Sequence, residues 1–170
     1  MQIEFKVYIA KESLDNIKNL TIIPQQFQKD VRNANYLIGS HLVKWLKDDM
    51  KKPKSGRIYK SYFGVGGRLK KAKLVRASSK DETPAIRTGA FRKSINFYVR
   101  GNNRLEFGSG EGSAINYAKV LEFGSSKMDA RKPLQRANEN NEDKIKQIAN
   151  NVLKKLNNYY KWLADRYKID

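Results

Sequence analysis

Hydrophobic positions along the chain follow two periods, and each period predicts a different kind of secondary structure. Residues 2–9 alternate apolar and polar side chains, which is typical of a strand with one buried face. Residues 95–99 and 104–107 predict two further strands, and Gly101-Asn102-Asn103 between them can supply the positive φ angles of a hairpin turn. These segments predict a small antiparallel sheet.

Two long helices are predicted from apolar positions that recur every three or four residues. The first begins at Pro24 and ends before Pro53, and its apolar stripe comprises Phe27, Val31, Ala34, Ile38, Leu42, Trp45 and Leu46. The second begins at Pro133 and is predicted to continue as one unbroken helix, because its apolar positions form a single stripe. That stripe comprises Leu134, Ala137, Ile145, Ile148, Val152, Leu156, Tyr159 and Leu163.

Shorter helices fill part of the remaining chain. One is expected to open near Ser13 and end near residue 20, one covers residues 89–94 with Thr88 as its N-cap, and one covers residues 115–123. The helix over residues 115–123 is expected to be anchored against the sheet by its apolar side chains, Tyr117, Val120, Leu121 and Phe123. We therefore expect one α+β domain over residues 1–170, a small antiparallel sheet packed against two long helices.

Positive charge is concentrated in one part of the chain. Lys and Arg number 35 against 17 Asp and Glu, a formal net charge of +18, and residues 51–80 carry 11 basic side chains with no acidic one. The candidate contact residues in this stretch are Lys51, Lys52, Lys54, Arg57, Lys60, Arg68, Lys70, Lys71, Lys73 and Arg76. Interrupting glycines favour an extended basic loop or arm over residues 51–87.

Such an arm repels itself and extends into solvent unless it meets negative charge. Three hypotheses remain open for it: contact with nucleic acid, docking on an acidic surface of another protein or a neighbouring subunit, and a solvated loop without a partner. Replacing Lys70, Lys71 and Lys73 with Glu tests whether the arm matters for assembly. The number of uncompensated charges exceeds what solubility requires.

Few residues offer catalytic chemistry, and we expect neither an enzyme nor a bound cofactor or metal. Cysteine is absent, and His41, the single histidine, lies beside the first helical stripe as a structural residue would. The glycines of residues 64–67 lack the Lys-Ser/Thr ending of a phosphate-binding loop. Three carboxylates, Glu106, Glu111 and Glu122, lie near each other in sequence and could do acid–base or two-metal work. Glu106 on a strand and Glu122 at a helix end each neighbour basic residues, which favours salt bridges instead.

The chain also has no apolar stretch of the length that spans a bilayer, and its first ten residues lack the pattern of a signal peptide. We expect a soluble protein made in the cytoplasm of its host cell, with no membrane partner.

Three short segments between residues 53 and 137 occur in an order that is characteristic of one family. They are Arg87-Thr88-Gly89-Ala90-Phe91-Arg92-Lys93-Ser94-Ile95, then Tyr117-Ala118-Lys119-Val120-Leu121-Glu122-Phe123-Gly124-Ser125, then Ala130-Arg131-Lys132-Pro133-Leu134-Gln135-Arg136-Ala137. Together they resemble the neck or tail-completion proteins of tailed bacteriophages, also described as minor capsid or head–tail joining proteins. Departures from the family pattern are Phe91 for Leu, Ser125 for Thr, and the inserted Lys132.

The resemblance implies a structural virion protein that forms a ring, a hexamer or dodecamer, where the DNA-filled head joins the tail. Its implied partners are copies of itself, portal, adaptor or head-closure proteins, tail-terminator or tail-tube proteins, and DNA in the channel. The motif residues expected to maintain the fold are Thr88, Gly89, Ser94, Tyr117, Glu122, Phe123, Gly124, Arg131 and Pro133. The alternative is a stand-alone basic protein that binds nucleic acid.

Overall fold

The structure is a computed structural model that describes residues 25–61, 64–65, 68–69, 73–80, 82–87, 89–110 and 113–167. It confirms the α+β class. The expected strand at residues 2–9, the helix near Ser13 and the helix start at Pro24 lie outside the described residues.

The first long helix, α1 (Gln25–Asp49), carries the predicted apolar stripe. Ala34, Ile38, Leu42 and Leu46 are buried on it, spaced three to four residues apart as one helix face requires. The helix ends where Met50 N–H donates to Leu46 O, just before the basic stretch begins.

The basic stretch is not the irregular loop that its glycines indicated, because four short strands organise it. Strand β1 (Ile58–Ser61) pairs antiparallel with β4 (Lys73–Arg76), and β2 (Gly64–Val65) pairs with β3 (Arg68–Leu69) between them. The register sets Lys60 opposite Leu74 and Arg76 opposite Ile58, so that like charges do not face each other directly. This choice of register lets a uniformly basic sequence form a hairpin.

The predicted short helix and hairpin are confirmed with small changes of bounds. Helix α2 (Ala90–Ser94) leads into β5 (Ile95–Arg100), which pairs with β6 (Arg104–Ser109). Gly101, in the turn, has φ 60°. The N-cap is Gly89, in a left-handed conformation, whereas the predicted cap Thr88 lies outside the described residues.

The last long helix was predicted as one element and is two. Helix α4 (Pro133–Glu139) is separated by a turn from α5 (Glu142–Tyr167), and α3 (Ser113–Phe123) precedes both. Asn141 is buried at the start of α5, where its carbonyl accepts the Ile145 N–H. Asn is a favoured N-cap residue and acidic residues follow it in the first turn, which explains why a new helix begins there.

Contacts divide the chain into two units, each built from several segments. Unit 1 takes its described residues from 1–41, 97–106 and 140–170, and unit 2 from 42–96 and 107–139. In unit 1, the absence of a side chain at Gly39 makes room for Phe97 and Leu105 of the hairpin. The expectation of one domain stays a prediction.

The core of unit 2 is formed by the second half of α1, the short helices and the neighbouring strands. Its most deeply buried side chains are Leu42, Leu46, Ile95, Leu121, Leu134, Pro84 and Pro133. None of the helices that the structure describes is long and apolar enough to cross a membrane.

Candidate functional site

The base of the arm is tied to the end of α1 by a buried threonine. Lys54 Nζ donates to Thr83 Oγ1 at 2.9 Å and to Asp49 O at 3.2 Å, and the Thr83 hydroxyl donates to Asp49 Oδ2 at 2.9 Å. Burial lowers the pKa of Lys54, while the charge of Asp49 opposes that change. The Lys54 ammonium is therefore engaged within the fold.

Glu82 closes the arm by holding both of its ends. Its carboxylate accepts the Ser55 N–H at 3.0 Å and the Ser79 N–H at 2.9 Å, and the hydroxyls of these two serines lie 3.0 Å apart. Backbone bonds from Ser79, with further bonds from Ser55, lower the pKa of Glu82 to about 2. The Glu82 carboxylate therefore binds backbone N–H groups at the base of the arm and does not pair with the described basic side chains of the arm.

Gly56 also lies at the base of the arm, at a position where there is no room for a side chain. Its N–H donates to Ala77 O at 3.0 Å, and a Cβ atom added there would lie 2.6 Å from that same oxygen. The Ala77 N–H returns a bond to Arg57 O at 2.9 Å. The two strands of the arm thus stay paired down to its base.

The basic residues proposed as contacts occupy several kinds of position. Lys51 forms an exposed ion pair with Asp48 at 2.7 Å, and the exposed Lys52 pairs at 2.6 Å with Asp49, which is half-buried. Arg57, Lys60 and Arg76 are exposed. Of the others, Arg68 and Lys73 lie in described strands, whereas Lys70 and Lys71 lie outside the described residues.

One face of the hairpin combines positive charge with exposed apolar side chains. Directly opposed residues of an antiparallel pair share a face, so Ile58, Lys60, Leu74 and Arg76 lie together. Ile58 is 49% exposed and Leu74 is 66% exposed. A hairpin face with this composition is suited to contact another macromolecule, because exposed aliphatic groups are seldom gathered without a partner.

Tyr59, on the other hairpin face, meets the first sequence motif at Arg87. The Arg87 guanidinium lies over the Tyr59 ring, 6.0 Å from its centroid, and Tyr117 packs edge-on against Phe91 with ring centroids 6.2 Å apart. Burial raises the pKa of the Tyr117 hydroxyl, and Tyr59 adds to the effect, whereas the charges of Arg87 and Arg131 lower it.

Glu122 links the second motif to the third, and the prediction that it forms a salt bridge is wrong. Its side chain is 4% exposed, and its two carboxylate oxygens accept the N–H groups of Leu134 and Gln135 at 2.9 and 3.0 Å. It thereby caps the helix that Pro133 opens. Burial raises the pKa of Glu122, and the two backbone bonds oppose that rise.

Gly124 ends α3 in a conformation that favours glycine. It has φ 79°, and an added Cβ would lie 3.0 Å from both Met128 O and Ala130 N. Backbone N–H groups of Arg131 and Lys132 then donate to Leu121 O at 2.7 and 3.1 Å. These contacts join the end of α3 to the start of the third motif.

The remaining motif residues divide into buried and exposed ones. Ser94 Oγ donates to Phe91 O at 2.8 Å and lies 2.7 Å from Ser109 Oγ. Phe123 is 64% exposed and does not anchor its helix, contrary to prediction, since Ala118 and Leu121 fill that role. An exposed aromatic side chain of this size is another candidate contact residue.

Two of the candidate catalytic residues, Glu106 and His41, have partners within the fold. Glu106 forms the predicted salt bridges, 3.0 Å to Arg100 and 3.1 Å to Arg104, and His41 Nε2 lies 2.8 Å from Asn141 Oδ1. Glu111 lies outside the described residues. No group of three His, Asp or Glu side chains within the described ranges could hold a metal ion.

Sequence reasoning missed Tyr59 and Glu82 altogether and did not single out Arg87. Arg87 opens the first motif, so its place beside Thr88-Gly89 was a signal that could have been used. Nothing in the sequence pairs Tyr59 with Arg87, because the contact depends on how the arm folds back.

Comparisons with known proteins identify no relative. No protein-family model matches the chain, and searches of curated proteins and of solved structures returned no significant match.

Proposed function

We propose that the chain is a ring-forming structural subunit of a tailed bacteriophage, located in the neck that joins the DNA-filled head to the tail. The supporting observation is the ordered set of three motifs between residues 87 and 137, together with the way Glu122 joins two of them. The carboxylate of Glu122 binds the backbone of Leu134 and Gln135, so these motif segments form one folded module.

The arm supplies the contacts that such a subunit needs. Arg57, Lys60 and Arg76 are exposed, and the apolar side chains of Ile58 and Leu74 are exposed beside them. Contacts between different surfaces of identical subunits close into rings when the rotation permits it. The arm therefore contacts a neighbouring subunit, an adjacent ring or the DNA of the channel, and the partners are portal or head-closure proteins on one side and tail proteins on the other.

Disrupting the gene in the phage that encodes the chain tests this proposal. Infected cells are expected to accumulate DNA-filled heads and separate tails, visible by negative-stain electron microscopy, and a plasmid copy restores joined virions. Normal numbers of joined, infectious virions without the protein would refute the neck function.

A pair of charge reversals tests the arm within the same assay. Arg57→Glu with Lys60→Glu is expected to reduce joined particles at least about tenfold, since it inverts two exposed charges that are free to meet a partner. The matched control is Lys154→Glu with Lys161→Glu, which inverts two exposed charges on α5. Equal loss in both variants would mean that the position of the charges on the arm is unimportant.

A stand-alone nucleic-acid-binding protein is the second candidate, favoured by the exposed Lys60 and Arg76 of the arm and the high net charge. Filter binding of duplex DNA to the purified protein at two salt concentrations distinguishes it. Tight binding with a steep salt dependence, combined with normal particle assembly in the gene disruption, would favour this candidate.

A further inference from the structure

We infer that one face of the arm hairpin binds duplex DNA in the major groove, with two cations on phosphate groups and two aliphatic side chains against base edges. This exposed hairpin face consists of Ile58, Lys60, Leu74 and Arg76. The assignment rests on the proposed function, which puts DNA in the channel of the neck, and it adds which residues meet that DNA and how.

The register of β1 and β4 fixes which side chains share this face. Ile58 lies opposite Arg76 and Lys60 lies opposite Leu74, and residues two apart along a strand are on the same side. The two cations therefore occupy one diagonal of the face and the two aliphatic side chains occupy the other. Neighbours on such a diagonal lie about 7–8 Å apart, so the long side chains of Lys60 and Arg76 can reach different phosphate groups. Arg76 also donates to Gly56 O at a long 3.4 Å, and its side chain stays exposed.

The opposite face of the hairpin is partly covered by the fold. Tyr59 and Val75 are paired across the strands and are both half-buried, and the Arg87 guanidinium lies 6.0 Å from the centroid of the Tyr59 ring. All four residues of the exposed hairpin face are exposed by contrast, with Ile58 at 49% and Leu74 at 66%. The hairpin thus offers one defined side to a partner.

The base of the hairpin is held in place within the fold. Glu82 accepts the N–H groups of Ser55 at 3.0 Å and Ser79 at 2.9 Å, and the Gly56 N–H donates to Ala77 O at 3.0 Å. A ribbon anchored in this way loses less conformational entropy on binding than a free loop of the same charge would lose.

The distribution of charge favours a polyanion over an acidic protein surface. Beyond the lysines that pair with the end of α1, residues 57–80 contain eight basic residues, five of them Lys, and no acidic one. Basic positions continue from Arg57 and Lys60 to Arg68 in β3. Duplex DNA carries one phosphate per about 1.7 Å of its axis, so each cation of such a track can release a counterion, whereas protein interfaces are depleted in Lys.

The width and the apolar content of the face fit the major groove. Two paired strands lie about 4.8 Å apart, and the major groove, about 12 Å wide, admits a two-stranded ribbon, whereas the minor groove is only about 6 Å wide. Thymine presents its methyl group in the major groove. Ile58 and Leu74 find an apolar counterpart there that the phosphate backbone does not offer.

Fluorescence anisotropy tests the cations of the face, with the full-length purified protein and a short labelled duplex at several salt concentrations. Lys60→Gln with Arg76→Gln is expected to weaken binding at least about tenfold at moderate salt. The slope of the logarithm of the binding constant against the logarithm of the salt concentration is expected to fall by about 2, since each phosphate contact contributes about 0.9. Circular dichroism checks that the variant keeps the fold of the unmodified protein.

A matched variant separates the position of the charges from their number. Lys154→Gln with Lys161→Gln removes two exposed charges from α5 and is expected to leave the salt slope unchanged and to weaken binding less than about threefold. An equal fall of the salt slope in both variants would overturn the inference, because any exposed lysine would then serve as well as those of the hairpin.

Replacing thymine by uracil in the same duplex tests the aliphatic pair, because it removes only methyl groups in the major groove. The unmodified protein is expected to bind the thymine duplex about threefold more tightly, and Ile58→Ser with Leu74→Ser is expected to lose this preference. Equal affinity of the unmodified protein for the two duplexes would refute docking in the major groove.

A labelled peptide of alternating Glu and Leu serves as the probe for a protein partner. The unmodified protein is expected to bind the duplex more tightly than this peptide at the same salt concentration. Tighter binding of the peptide, lost in the Lys60→Gln with Arg76→Gln variant, would assign the face to an acidic protein surface instead.

Failure of this assignment and failure of the neck function give different results. If gene disruption separates heads from tails but the Lys60→Gln with Arg76→Gln variant binds the duplex as well as the unmodified protein does, only the DNA contact of the hairpin falls. If the hairpin binds the duplex as expected and virions still join without the gene, the neck function falls.

Discussion

Replacing Glu122 with Ala removes the acceptor that holds the start of α4. The side chain is 4% exposed and accepts two backbone N–H groups, at 2.9 and 3.0 Å. A net hydrogen bond to a charged group contributes about 1.5–3 kcal/mol, and the cost of burying the carboxylate offsets part of two such bonds. We therefore expect Glu122→Ala to lower the free energy of unfolding by about 2–4 kcal/mol.

Urea unfolding followed by circular dichroism measures this loss as a shift of the midpoint at constant slope. The matched control is Glu139→Ala, which removes an exposed carboxylate from the same helix and is expected to cost less than about 0.5 kcal/mol. Glu122→Gln keeps one acceptor oxygen but turns an N–H donor toward the second backbone N–H. The stability of this variant is therefore expected to fall between those of Glu122→Ala and Glu139→Ala. A loss below about 1 kcal/mol for Glu122→Ala would refute the capping role.

The pH dependence adds a second, independent test of the same residue. Burial raises the folded pKa of Glu122 above 4.5, so folding retains a proton that the unfolded chain releases. The contribution of this group to stability is therefore full below the unfolded pKa and declines as the pH rises through the folded pKa. The stability difference between the unmodified protein and Glu122→Gln is expected to narrow as the pH rises from about 4 to 7. If this stability difference widened as the pH rises, burial would not be the dominant influence on the pKa of Glu122.

Three further predictions concern the backbone and the arm. Gly124→Ala is expected to destabilise the fold by about 1–3 kcal/mol, because φ is 79° and backbone atoms crowd the new Cβ. Gly101 has φ 60° and open space around it, so Gly101→Ala is expected to cost only about 1 kcal/mol in the same urea experiment. Gly39→Ala is expected to lose a net amount of about 1 kcal/mol, because crowding against Phe97 outweighs the gain in helix propensity. Glu82 has a folded pKa lowered from 4.5 to about 2, so its support of the arm base is present above pH 4.5 and is lost as the pH falls toward 2. The protection factors of the Ser55 and Ser79 amides, which correct hydrogen exchange for its intrinsic pH dependence, are expected to fall over that window. Glu82→Gln is expected to abolish this pH-dependent change.

Each of these predictions has an opposite outcome that would count against its reasoning. Equal costs at Gly124 and Gly101 would mean that the crowding near Met128 and Ala130 has no effect. A more stable Gly39→Ala would show that the hairpin can withdraw from α1 without cost. Protection factors at the arm base that stay constant between pH 2 and 4.5 would exclude the Glu82 carboxylate as the clamp.

Local patterns predicted the elements whose residues are close in sequence. The stripe on α1 appears as buried Ala34, Ile38, Leu42 and Leu46, and the hairpin of β5 and β6 turns at Gly101 as expected. Both depend on periodicity or turn chemistry within a few residues, which a sequence displays directly. The break between α4 and α5 was missed because Ala137 and Ile145 are eight residues apart, a spacing that one continuous helix face would also give.

By itself, the sequence determined the α+β class, the faces of the long helices, the concentration of positive charge in residues 51–80 and the order of the three motifs. Only the tertiary structure decided that the basic stretch forms a hairpin, that Glu122 caps α4 and that Tyr59 meets Arg87. The physical reason is the distance along the chain over which each interaction acts. Burial periodicity is a property of neighbouring residues, whereas strand register, capping from another segment and a shared surface patch exist only after remote segments have met.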